Sequence, residues 1–109
     1  MAGPGTQVAA VVKADGYGHG ALGIAPAIME NGASLLAVAT LSEAVELKQA
    51  YPRYPVLIMG LTPDRLLPYV LEYGIIQTID TLAQARLLNR LASEKRQQAV
   101  IHIKYDTGF

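Results

Sequence analysis

Three short stretches of this chain carry residue types at spacings that suit chemistry. The first is Lys13, which closes the apolar run Val8-Ala9-Ala10-Val11-Val12. Strand alternation puts Lys13 on the face of Ala9 and Val11, where small neighbours leave room beside the amine. An amine at a buried strand end loses solvation, which favours its neutral, nucleophilic form. The plainer alternative is a rim lysine with its stem on the protein and its charge in water. The second stretch, Gly16-Tyr17-Gly18-His19-Gly20, places three glycines in five residues ahead of a helical segment. Such a turn lets backbone N–H groups approach an anion, and Tyr17 adds a hydroxyl. An ordinary tight turn reads the same way, and both the Walker Lys-Ser/Thr and the full Rossmann spacing are missing. His19 fits the first turn of a helix as well as it fits a base or ligand. In the third stretch, His102, Lys104 and Asp106 alternate onto one face, opposite Ile101, Ile103 and Tyr105. Polar groups directed together into a core need partners, so they either form an ion-pair network or line a site. The two histidines lie far apart with no carboxylate at ligand spacing, so no metal site is expected.

Something must hold these stretches, and the apolar pattern indicates what. Val8–Val12, Leu35–Ala39, Val56–Met59, Ile75–Ile79 and Val100–Ile103 are short, near-continuous apolar runs, the pattern of parallel strands buried on both faces. Helical spacing lies between them. Ala21–Met29 stops at Asn31-Gly32. Glu43–Ala50 has Thr40 or Ser42 as cap and a capping box in Thr40-Leu-Ser-Glu43, and ends before Pro52 and Pro55. The third helix is expected from Thr62 as cap and Pro63 at its first position to about Tyr73, with Pro68 inside it as a kink or early end. The fourth has Asp80 as cap, an apolar stripe of Leu82, Ala85, Leu88, Leu91 and Ala92, and Arg86, Arg90, Glu94 and Lys95 on the wet side.

Strand, helix and strand in regular succession make an α/β domain of about four βα units plus a fifth parallel strand. That is either a small open sheet or part of a (β/α)8 TIM barrel. Ligands gather at the carboxyl ends of the strands in both, which is where Lys13, the glycine turn and Lys104 fall. A closed barrel needs ~200 residues or more, so 109 residues cannot close one. Open first and last strands would be unpaired edges, and a continuation beyond Phe109 or a partner is expected. Residues 1–7 read as a flexible lead-in to a domain over 8–109.

Composition narrows the function classes. Half the residues (51%) are apolar and 17% charged, which marks a chain that folds. Nine basic residues balance nine acidic ones, so no net field favours nucleic acid or an anionic membrane. With no cysteine, a disulfide framework and a thiolate nucleophile are excluded; a cytoplasmic setting is compatible. No apolar run approaches the ~20 residues of a membrane span, and Met1–Thr6 lacks the regions of a signal peptide.

Lys13-Ala-Asp-Gly-Tyr-Gly-His-Gly20 resembles the cofactor signature of alanine racemases. Asn31–Ala39 resembles that family's second-strand region, Ser42–Leu47 the helix after it, Pro55–Gly60 the third strand and His102–Gly108 the fifth. The resemblance runs in order along nearly the whole chain from Val8. It implies the N-terminal (β/α)8 barrel of an isomerase with pyridoxal 5'-phosphate in its mouth, a C-terminal β domain, a homodimer in the cytoplasm, and interconversion of L- and D-alanine that supplies D-alanine for cell-wall synthesis. It implies that Lys13 holds pyridoxal phosphate as a Schiff base and acts as one of two acid/base groups, and that Tyr17 hydrogen-bonds the cofactor phosphate. Lys104 matches a lysine that many members carry carbamylated. Phe109 stands where the family usually has methionine. The family's second acid/base group, a tyrosine of the neighbouring subunit's C-terminal domain, has no match here, nor does an arginine expected beyond Phe109. The 109 residues alone are therefore expected to lack racemase activity. Other readings are a non-catalytic barrel that binds pyridoxal phosphate as a carrier, a decarboxylase of the same barrel type, and an assembly module without ligand. The glycine turn after Lys13 argues against the first two.

Overall fold

The computed structural model describes residues 9–12 and 21–103. Five strands, β1 (Ala9–Val11), β2 (Leu35–Val38), β3 (Val56–Ile58), β4 (Ile76–Ile79) and β5 (Ile101–Ile103), form one sheet in the order β1-β2-β3-β4-β5. Every neighbouring pair is parallel. Between them run α1 (Ala21–Glu30), α2 (Leu41–Ala50), a 3-10 turn (Asp64–Leu66) leading into α3 (Leu67–Glu72), and α4 (Leu82–Glu94).

Sequential order separates the two architectures left open above. A doubly wound sheet reverses strand order at its switch point and places helices on both faces. Here the order never reverses, and the helices share one face. The register row Val38–Ile58–Gln77–Ile101 lies on that side. Leu36, Val38, Val56, Ile58 and Ile79 form one buried cluster with Ala25, Ala44, Leu47, Val70, Leu88 and Ala92 from the helices. Each fully buried Leu or Ile contributes about 1.5–3 kcal/mol. The opposite row, Val11–Ala37–Leu57–Ile76, carries none of the residues in that cluster. This is the layout of a partial (β/α)8 barrel: helices outside, the second face turned to the barrel interior.

That second face corrects one expectation, since not every strand is buried on both sides. Ala37 and Leu57 are covered, but Val11 at the edge is 61% exposed. At the other edge Ile101 and Ile103 are exposed although they lie on the helix side.

Local chemistry sets the helix ends. Thr40 caps α2: its hydroxyl accepts from the Glu43 amide and its own N–H donates to Glu43 Oε1 at 3.0 Å, completing the capping box. Ser42 is not the cap. The cap of α4 is Thr81 rather than Asp80, with the Gln84 amide donating to Thr81 Oγ1 at 3.2 Å. One consequence is that Leu82 falls in the first turn and is 65% exposed, so the buried stripe is carried by Leu88 and Ala92. The third helix also differs. Pro68 lies in the first turn of α3, where a missing N–H breaks no helical bond, and the segment after Pro63 is a 3-10 turn. Thr62 is no cap, because its hydroxyl is engaged with Gln77.

Candidate functional site at the carboxyl ends of the strands

The strands deliver their carboxyl ends to one rim at Val12, Ala39–Thr40, Met59–Thr62, Asp80–Thr81 and Ile103. β1 stays in the ladder through Val12, whose N–H donates to the Ala37 carbonyl at 2.8 Å. The interior face beside it is small and apolar: Ala9 and Val11 on β1, Ala37 on β2, then Ala39. Met59, 40% exposed, donates its N–H to the Val38 carbonyl at 2.7 Å.

The segment after β3 is held most tightly. Gly60 donates to the Ala39 carbonyl at 3.2 Å, and a Cβ on Gly60 would stand 2.5 Å from that oxygen. Only glycine lets β2 and β3 approach this closely at the rim. Behind the segment, Gln77 is fully buried on β4, on the helix side of the sheet. Its Nε2 donates to the carbonyls of Gly60 and Thr78, both at 3.0 Å, and its Oε1 accepts from the Thr62 hydroxyl at 2.6 Å. Gln84 of α4 adds Nε2 bonds to the Thr62 carbonyl at 2.8 Å and to Asp64 Oδ1 at 3.1 Å. Two cavities flank this knot. One of about 770 Å³ lies between α2 and α3, with Val45, Leu61, Tyr69 and Tyr73 in its wall. The other, about 400 Å³, lies between the β3 and β4 loops, beside Pro63 and Thr81.

Lys48 lies partly buried, and desolvation lowers its pKa below 10.5. Its Nζ donates to the carbonyls of Pro52 and Tyr54 at 2.8 and 3.1 Å, closing the loop into β3. That loop enters the amino end of the strand, opposite the rim. In this fold the amino-terminal end serves stability and the carboxyl-terminal end serves chemistry.

Of the residues singled out in the sequence, Lys13, Tyr17, His19, Lys104, Asp106 and Phe109 lie outside the described residues. The backbone of His102 is described, and β5 pairs it in register with Thr78. Sequence reasoning missed the Gln77–Thr62–Gly60 knot. A signal was present: Ile75-Ile76-Gln77-Thr78-Ile79 puts an amide inside an apolar strand, and a buried amide requires partners.

The family model for the alanine racemase N-terminal domain matches residues 1–109. An alanine racemase of Clostridium tetani is 47% identical over 104 residues, covering 95% of this chain and 27% of that protein. Among solved structures, an alanine racemase of Clostridium difficile in complex with cycloserine superposes with a TM-score of 0.85 at 32% identity, covering 96% of this chain and 28% of that one. One from E. faecalis gives 0.83 at 35% identity, covering 98% and 29%. The chain therefore spans between a quarter and a third of the length of these relatives.

Proposed function

This chain belongs to the alanine racemase family as an N-terminal domain segment, and from that premise we propose that the whole protein interconverts L- and D-alanine, with pyridoxal 5'-phosphate held by Lys13. The observation that carries the proposal is the strand leading to that lysine. Ala9 and Val11 of β1 occupy the interior face, in register with Leu35 and Ala37, and Lys13 is the next position of that alternation.

The residues suit the group. A flat aromatic ring needs a shallow apolar floor, and Val11, Ala37 and Ala39 put no long side chain there. Its aldehyde needs an amine, supplied by Lys13. Its phosphate needs donors, for which the sequence offers the Tyr17 hydroxyl and the backbone N–H groups of the glycine-rich stretch Gly16–Gly20. When bound, the cofactor supplies a conjugated ring that takes up the charge left when the α-proton of an amino acid departs.

The roles of this chain's own groups follow. Lys13 anchors the cofactor through its amine, then removes or returns the proton at the substrate α-carbon on one face. Tyr17 would hold the cofactor through a hydrogen bond to its phosphate. We assign Lys104, two positions beyond His102 in the sequence, a structural role as a carbamylated side chain. The acid/base group of the opposite face and the arginine that accompanies Lys104 belong to sequence beyond this chain, and the former to a partner subunit of a homodimer. The 109 residues are expected not to racemise alanine alone. We place the whole protein in the cytoplasm, supplying D-alanine for the cell wall; no helix among the described residues is long and apolar enough to cross a membrane.

The test is conversion of L-alanine to D-alanine by the full-length protein with added pyridoxal phosphate. Lys13→Ala is expected to lower turnover by at least roughly 10²–10⁴-fold, the scale of a positioned acid/base group. Cofactor binding with no turnover in the unaltered protein would instead mark a carrier.

A further inference from the structure

We propose that Gln77 is a positioning residue of the racemase: buried behind the sheet, it fixes the Met59–Thr62 segment that forms the β3 part of the catalytic mouth. The inference rests on the racemase reading above and adds to it a residue that touches neither substrate nor cofactor.

The orientation of the amide is fixed by chemistry. The Gly60 and Thr78 carbonyls can only accept, so the nitrogen must face them, which leaves Oε1 for the Thr62 hydroxyl. With both carbonyls engaged and Oε1 filled at 2.6 Å, the amide has a single arrangement. The segment it grips has little freedom of its own. Val38 and Ala39 hold the amides of Met59 and Gly60 on the β2 side, and Gln77 holds the Gly60 carbonyl and Thr62 on the β4 side. Gln84 clamps the Thr62 carbonyl from α4.

The row Val38–Ile58–Gln77–Ile101 is otherwise aliphatic, and the amide in it is the partner of the Gly60 and Thr78 carbonyls and of the buried Thr62 hydroxyl, so its loss lowers stability as well as loosening the segment. An amide costs desolvation in such a row and returns directional bonds, two of them to a segment at the rim. Met59 adjoins that grip and is 40% exposed on the interior side, so a shift of the segment alters the interior wall at the carboxyl ends of the strands. Displacements of an ångström at such a wall are enough to cost about 10²-fold in rate.

The experiment uses the full-length holoenzyme and compares Gln77→Leu, Thr62→Val, the double variant, Thr62→Ser and Leu88→Ala. Leu88 is fully buried on α4 away from the rim and serves as a control for lost stability alone. For each, kcat and KM for alanine and the dissociation constant of pyridoxal phosphate are measured on folded protein, with Tm alongside. Gln77→Leu and Thr62→Val are expected to lower kcat/KM or weaken cofactor binding by about tenfold or more, within the range known for misplaced active-site walls. The double variant should be no worse than the poorer single one, because both break the same link. Thr62→Ser should restore the unaltered values, and Leu88→Ala should lower Tm while leaving kcat/KM intact. If Gln77→Leu changes Tm alone, as Leu88→Ala does, Gln77 is structural and the proposal is overturned while the racemase reading stands. If the unaltered protein neither binds the cofactor nor racemises alanine, the racemase reading fails and takes this proposal with it.

Discussion

The Tyr51 hydroxyl donates to the Leu22 carbonyl at 2.7 Å, and Leu22 is the residue whose helical partner Pro26 removes. Pro26 lies inside α1 and has no N–H to return to position 22, so a carbonyl beside the core would stand unpaired. Tyr51, at the end of α2 and 29 residues along the chain, fills that gap from the neighbouring helix. Tyr54 stacks on its ring, with centroids 5.0 Å apart, and keeps it in place. A proline that would weaken α1 in isolation thus becomes a point of docking between α1 and α2.

Tyr51→Phe keeps the stacked ring and deletes the donor. It should destabilise the full-length protein by about 1–3 kcal/mol, the cost of an unsatisfied carbonyl. Adding Pro26→Ala restores an N–H for Leu22 and should recover most of the loss. Urea unfolding of both single variants and the double variant checks this; strict additivity would show that the two residues are not coupled.

Gly60→Ala drives a Cβ to 2.5 Å from the Ala39 carbonyl oxygen, and both groups belong to backbone with little room to retreat. A loss of about 1–3 kcal/mol is expected, as for other overpacked sites. Gly23→Ala, with nothing within 4 Å of the added carbon and a helical setting, should be neutral or stabilising. Thermal unfolding of the pair separates close approach from mere glycine content.

Arg96 ends α4 with φ +55°, in a left-handed position where α1 and α3 use Gly32 and Gly74. Its N–H donates to Ser93 and that of Gln97 to Ala92, the bonds of a Schellman ending. Arg96→Gly removes the Cβ strain of that conformation and should stabilise by about 0.5–1 kcal/mol. The midpoint of urea unfolding reads it, and a lower midpoint would contradict the strain.

Every strand and helix was readable because apolar runs alternate with helical spacing. The cap at Thr40 was readable because a capping box is a local signal. Caps decided by a single residue were not: Asp80 and Thr81 are both good caps, and the geometry of the chain leaving β4 selects Thr81. Pro26 was passed over because its compensation comes from Tyr51, far away in sequence. The rim was legible as the carboxyl ends of the apolar runs, while Lys13 and Lys104, which follow the first and the last of them, lie outside the described residues. The Gln77 knot was not, because which buried amide meets which loop is fixed only by strand register. Barrel against open sheet was likewise settled by strand order, which periodicity does not encode.

Among the described residues, Lys48 contributes a pH dependence of stability. Burial lowers its pKa below 10.5, so the folded chain releases this proton before the unfolded chain does. Between the folded value and 10.5 the unfolded chain holds more protons, and stability rises with pH across that window. The penalty is fully present below it. Subtracting the Lys48→Met profile from that of the unaltered protein isolates the rise. A difference that is flat, or that falls with pH, would contradict it. The variant should also be less stable throughout, because the Pro52 and Tyr54 carbonyls lose their donor.

The most direct measurement treats the full-length protein with pyridoxal 5'-phosphate, reduces it with borohydride and maps the pyridoxyl group by peptide mass spectrometry. A single modified site at Lys13, absent in Lys13→Ala, is the predicted result. A label spread over surface lysines such as Lys95, or lodged at one other lysine with Lys13 unmodified, would contradict the account.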